Sequence, residues 1–155
     1  MVITKGVESW RTAIHRKRTS APVRFYSESG LLNGEVLDYG AGKDVHPYAK
    51  YDPYYYHDNW VLLEKKWNVV MCNYVLNVIE HTKDREKVLE TIKGLLKPNG
   101  YALVAIYQRS KHDTRTTKGF QSGWGVKEWE NLFLSHFKEV ERLPAKGLHL
   151  WRLLP

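Results

Sequence analysis

One cysteine, Cys72, stands among 155 residues, so an internal disulfide and a paired-cysteine metal motif are both excluded. The histidines, His15, His46, His57, His81, His112, His136 and His149, show no metal-ligand spacing, and no metal is expected. Long apolar runs are also missing. The longest is Tyr101 to Tyr107, far short of the roughly 20 residues that span a bilayer, and the opening MVITKGVESW holds no apolar export core. A cytoplasmic protein without a membrane passage is therefore expected. Internal repeats, low-complexity tracts and linkers are absent, and the length suits one domain.

What is present is charge, unevenly placed. The formal net charge is +7. Residues 1–24 carry Lys5, Arg11, Arg16, Lys17, Arg18 and Arg24 against Glu8 alone, and Arg109, Lys111, Arg115 and Lys118 face only Asp113 in residues 109–118. Two basic patches on a near-neutral body suit an anionic partner such as nucleic acid, although a solvated charged face reads equally well from composition. Trp10, Phe25, Tyr26, Phe120 and Trp124 interleave with these cations and are expected to offer stacking surfaces.

Periodicity supplies the elements. Val7, Trp10 and Ile14 recur at helical spacing, which predicts a short amphipathic helix docked apolar side down. A strand is expected over Glu35 to Asp38. The unbroken run Val69 to Cys72 fits a parallel strand buried on both faces. Val88, Leu89, Ile92, Leu95 and Leu96 form one stripe of a helix that Lys97-Pro98-Asn99-Gly100 should stop, with the strand Tyr101 to Tyr107 after it. Gln108 to Gly125 has no periodicity and is expected to act as a flap. Trp129, Leu132, Phe133 and Phe137 mark another helix, and Lys138 to Leu143 and Leu148 to Leu154 two closing strands. Alternating strands and helices predict an α/β domain with a mainly parallel sheet and an antiparallel C-terminal hairpin.

The stretch VLDYGAGKD, Val36 to Asp44, runs a strand into Asp38 and then turns through Gly40 and Gly42, whose missing Cβ atoms let backbone approach a ligand. In such a sheet the ligand lies at the carboxyl ends of the strands. Asp52, after the next strand, can accept both hydroxyl protons of a ribose, and Asn73 ends another strand with an amide that donates and accepts. Asp38, Asp52 and Asn73 thus outline one pocket. Competing readings are a plain turn for Gly40 and Gly42, a turn initiated by Asp52-Pro53, a helix cap for Asn73 and core packing for Cys72. Ser122 lacks the strand-turn-helix setting of a hydrolase nucleophile.

These motifs resemble class I S-adenosylmethionine-dependent methyltransferases. VLDYGAGKD looks like their D-x-G-x-G turn, and Val69 to Tyr107 resembles their fourth strand through fifth strand with the L-K-P-G-G turn. The stretches HRKRTSAPVRFY, YDPYY and NYVLNVI further resemble small standalone members from phages and bacteria. The resemblance implies a Rossmann-like fold of reduced size, with a basic helical segment at 1–30, a cofactor-binding core at 31–107, and flap, helix and closing strands at 108–155. It implies S-adenosyl-L-methionine as cofactor, held by Asp38, Tyr39, Gly40, Ala41, Gly42, Asp52, Pro53 and Asn73, with Asn73 and Tyr74 at the reacting end. The expected acceptor is nucleic acid, contacted through Arg11, Arg16, Lys17, Arg18, Arg24, Arg109, Lys111 and Arg115.

The chain departs from the family pattern in three places. Lys43-Asp44 stands where many members have a third glycine; Lys43 to Tyr51 leaves room for only a very short first helix; and no third strand is clear between Asp52 and Trp67. The D/N-P-P-Y box of DNA amino-methyltransferases is replaced by Asn73-Tyr74-Val75-Leu76. A nicotinamide-dependent oxidoreductase would need a glycine where Val45 stands. The other alternative is a non-catalytic protein that keeps the cofactor fold and binds nucleic acid or a partner subunit.

Overall fold

The computed structural model describes residues 12–108 and 110–155. In chain order the elements are α1 (Ala21–Glu28), β1 (Val36–Tyr39), β2 (Ala49–Tyr51), β3 (Trp67–Asn73), α2 (Thr82–Gly94), β4 (Leu96–Ile106), β5 (Thr114–Thr116), β6 (Gly119–Gln121), α3 (Val126–Leu134), β7 (Glu139–Arg142) and β8 (His149–Leu154). Six strands form one sheet in the order β2-β1-β3-β4-β8-β7. β2, β1, β3 and β4 pair in parallel, and β8 runs antiparallel to both of its neighbours. The mainly parallel sheet with its closing hairpin is the expected α/β, Rossmann-like arrangement.

Side-chain alternation along the strands builds the layers. Leu37 and Tyr39 share a face with Val70, Cys72 and Val104, and that face meets Val88, Leu89 and Ile92 of α2 and Trp129 and Phe133 of α3. Val36, Val69, Met71, Leu103 and Ala105 share the opposite face with Val23 and Tyr26 of α1. Burial on both sides explains the unbroken apolar run in β3.

Several expectations shift. Trp10 and Val7 of the expected N-terminal helix lie outside the described residues; Ile14 is not helical and is 64% exposed. A helix that was not expected, α1, follows, with Pro22 in its first turn. α2 ends at Gly94, so Leu96 belongs to β4 rather than to the helical stripe. Lys97 to Gly100, expected as a turn, lies inside β4, at the irregularity between the Trp67–Leu96 and Val69–Tyr101 pairs. A Cβ on Gly100 would lie 2.8 Å from the carbonyl oxygen of Asn68, so this crossing requires glycine.

The short first helix expected after Gly42 is absent: residues 43–48 are turns and coil. In place of a third strand, a 3-10 segment, His57–Glu64, covers the sheet edge without a fully buried residue, and Asn59 donates its side-chain amide to the Lys50 carbonyl at 2.9 Å. The expected flap holds the β5-β6 hairpin. It is docked on a 3-10 turn, Leu76–Val78, through the Ser122 amide donating to the Asn77 carbonyl (2.7 Å) and the Asn77 amide donating to Gln121 Oε1 (3.1 Å).

Candidate functional site

One cavity opens at the carboxyl ends of β1, β2 and β3, the ligand position of an open parallel sheet. Asp38, Gly40, Ala41, Gly42, Asp52, Pro53, Asn73 and Tyr74 all line it, as do Thr12 to Ile14 and Arg16 from the N-terminal segment. The turn needs its glycines. Gly40 has φ +79° and Gly42 φ +56°, the left-handed region that side chains disfavour, and both the Gly40 and Ala41 amides donate to the Tyr51 carbonyl, at 2.7 and 3.1 Å.

Tyr39 does not join them. It follows Asp38 on a pleated strand, so its side chain turns to the opposite face, fully buried with its ring 5.6 Å from that of Tyr51. Its contribution to the cavity is limited to the main chain between two lining residues.

Asp52 is less available than its position implied. Oδ2 accepts from the Gly42 amide at 2.9 Å, and Oδ1 accepts from the Tyr54 and Tyr55 amides at 2.9 and 3.1 Å. A carboxylate offers about four lone-pair sites, so capacity for roughly one further donor remains rather than for two ribose hydroxyls.

Asp38 is buried at 1% exposure. Its Oδ2 lies 2.7 Å from His46 Nε2, while Oδ1 has no partner among the described residues. Burial pushes the Asp38 carboxyl above its ordinary range, against the opposing hydrogen bond from His46. Asn73 accepts from the Tyr26 hydroxyl at 3.0 Å through Oδ1, which leaves Nδ2 buried and without a partner among the described residues. Two cavity-lining residues therefore present one orphaned acceptor and one orphaned donor, a costly pattern unless a ligand completes it. Tyr74, the next residue, holds φ +58°, a strained conformation outside glycine, and packs edge-on against Tyr107 at 5.9 Å.

Asp38, Asp44 and His46 bring one ligand atom each within 4.8 Å of one another. Asp44 is already engaged, accepting from the Ser20 amide (2.9 Å), the Ser20 hydroxyl (2.5 Å) and the Val45 amide (2.8 Å). Hydrogen bonding accounts for its burial.

Comparison with known proteins decides the family. Residues 10–141 match the profile of the methyltransferase domain. The chain belongs to this family. The methyltransferase is also similar to solved structures. A 1,6-didemethyltoxoflavin-N1-methyltransferase from Burkholderia thailandensis, with 1,6-didemethyltoxoflavin and S-adenosylhomocysteine bound, is 15% identical with TM-score 0.58, over 96% of this chain and 78% of that one. A glycopeptide N-methyltransferase with S-adenosylhomocysteine is 10% identical with TM-score 0.59, over 94% and 93%. An amino pentose methyltransferase from Micromonospora echinaspora with S-adenosylmethionine is 9% identical with TM-score 0.52, over 84% and 86%. No curated protein matches the sequence. At these identities the likeness is one of fold.

The residues assigned to nucleic acid are scattered in their condition. Arg11 and Arg109 lie outside the described residues. Arg16 lines the cavity, Lys17, Arg18 and Lys111 are exposed, Arg24 is half-buried, and Arg115 is paired with Glu80. The expected stacking aromatics are mostly inside: Tyr26 and Phe120 are buried, and Trp124 packs on the Arg85 guanidinium at 4.4 Å. Trp10 lies outside the described residues. Apolar periodicity marks such rings as amphipathic without saying which face keeps them.

Sequence reasoning missed His46 and Asp44. Their signal was their closeness in the chain to the glycine turn, where an absent helix leaves the loop free to fold back on Asp38.

Proposed function

We propose that this methyltransferase holds S-adenosylmethionine in the cavity at the ends of β1, β2 and β3. The observation that carries the reading is the pair of orphaned atoms, Asp38 Oδ1 and Asn73 Nδ2, on residues lining one cavity with the glycine turn. An acceptor-only oxygen matches the donor's α-ammonium, and an amide N–H matches its carboxylate. The open site on Asp52 suits one ribose hydroxyl, and Gly40 and Gly42 supply main chain without side-chain bulk.

The cofactor supplies a methyl group already activated on a sulfonium, with a neutral leaving group. The chain's task is then alignment. Tyr74 and Asn73 stand at the cavity's β3 end and orient the acceptor there, between the N-terminal segment and the hairpin.

Nucleic acid is the acceptor class that the charge supports. Arg16, Lys43 and Lys50 line a groove beside the cavity together with Tyr55 and Tyr56, and exposed Lys17 and Arg18 continue the basic surface from Arg16. Cations set among aromatic rings suit a phosphate backbone with splayed bases. Methyl transfer from radiolabelled S-adenosylmethionine to RNA and DNA fractions, with a small-metabolite fraction alongside, tests this. Label in RNA or DNA supports the reading, and label in metabolites alone removes nucleic acid. Cofactor binding with no label anywhere favours the non-catalytic alternative.

A further inference from the structure

His46 sits in the loop that replaces the first helix, with its side chain 1% exposed. Its tautomer can be read from its neighbours. The Tyr48 amide donates to Nδ1 at 3.2 Å, so Nδ1 is the acceptor and Nε2 carries the hydrogen that points to Asp38 Oδ2 at 2.7 Å. The ring is held in place by the tilted Tyr48 ring at 5.5 Å, and the backbone beneath it by the Lys50 ammonium donating to the His46 carbonyl at 2.8 Å.

We propose that His46 is a positioning residue for the methyl donor: by fixing Oδ2 of Asp38, it sets the carboxylate so that Oδ1 receives the donor's α-ammonium. The inference rests on the donor reading above. A carboxylate at a strand end rotates freely unless one oxygen is anchored; here one oxygen is anchored, and the other belongs to a cavity-lining residue. The anchor also protects charge. Burial favours the neutral Asp38 carboxyl and Asp44 adds to that, whereas the hydrogen bond from His46 and the charge of Lys50 favour the carboxylate. The groups around His46 are Asp38 of β1, Asp44 and Lys43 of its own loop, Lys50 of β2, and His15 and Arg16 of the N-terminal segment. Without the His46 donor, Asp38 shifts towards its protonated form and loses its grip on a cation.

Calorimetric titration with two probes separates positioning from packing. S-adenosylhomocysteine keeps the α-ammonium; 5′-methylthioadenosine lacks both the ammonium and the carboxylate. His46→Leu is expected to weaken S-adenosylhomocysteine about tenfold or more, the loss of a charge-assisted contact, and 5′-methylthioadenosine less than about twofold. His46→Gln, whose amide nitrogen reaches about as far as Nε2, is expected to restore binding to within about threefold. The defect of His46→Leu should shrink as pH rises, as Asp38 loses its proton. Equal losses for both probes, or no rescue by glutamine, would overturn the inference. So would Zn2+ alone binding the wild type in a His46-dependent way. If Asp38→Asn loses S-adenosylhomocysteine while His46→Leu keeps it, positioning fails and the donor reading stands; if Asp38→Asn has no effect, the donor reading itself fails. Circular dichroism checks each fold, and His46→Asn, polar but too short to reach Oδ2, reads the same split should the leucine variant not fold.

Discussion

The Gly42 amide and Asp52 Oδ2 lie 2.9 Å apart, so the glycine turn and the end of β2 are one hydrogen-bonded unit. The carboxylate proposed to meet the ligand also organises the wall around it.

Substitution at Asp52 should therefore separate binding from folding by degree. Asp52→Asn keeps an acceptor for the Tyr54 and Tyr55 amides but sets an amino group against Gly42, and S-adenosylhomocysteine affinity should fall roughly 10- to 100-fold with a modest loss of Tm. Asp52→Ala strands three amides and should cost about 2 to 4 kcal/mol in urea unfolding. Calorimetry and urea titration measure the two effects, and wild-type affinity in Asp52→Asn would remove Asp52 from the site.

Arg85 should matter for stability. It is 2% exposed, donates through Nε to the Ile79 carbonyl at 2.8 Å, and lies over the rings of Trp124 (4.4 Å) and Trp129 (4.8 Å). Arg85→Met keeps most of the bulk and removes the donor and the charge, for an expected loss of about 2 to 4 kcal/mol in chemical unfolding. Ile79 lines the cavity, so S-adenosylhomocysteine binding should weaken as well. An unchanged unfolding midpoint would show that the stacking contributes nothing.

Acid should release one exposed cluster. Hydrogen bonds from Lys65 and Lys97 hold the Glu35 carboxyl down at about 2. The folded value is depressed, so the contribution is present above the ordinary value of 4.5 and is lost as pH falls towards about 2. Glu35→Gln should flatten the acid limb of stability against pH, and salt should weaken the effect because the cluster is in water. A Glu35 midpoint near 4.5 by NMR would contradict this.

Cys72 should be silent in the native protein. It is fully buried in β3, and burial pushes its thiol far above the ordinary range, so thiolate is scarce. Ellman's reagent should leave the folded chain unlabelled and titrate one thiol in urea. Rapid native labelling would place Cys72 at an accessible surface.

The sequence made β3 and α2 legible because each carries a pattern only one arrangement satisfies: an unbroken apolar run, and a 3.6-residue stripe ended near Gly94. The cavity was legible where chemistry sits on the chain itself, at Asp38, Gly40, Gly42, Asp52 and Asn73. Tyr39 escaped because a four-residue strand buried throughout does not reveal which parity faces the ligand. α1 escaped although Ser20 and Pro22 mark a helix start. His46 escaped because its bond to Asp38 spans a loop whose path no periodicity encodes.

The Asn59 amide on the Lys50 carbonyl has a colloidal consequence. A bare outer strand invites a neighbouring chain to add to it, and here one of its acceptors is already filled by the same molecule. At the far border, β7 carries Glu139, Glu141 and Arg142 exposed. Both margins thus discourage ribbon-like growth.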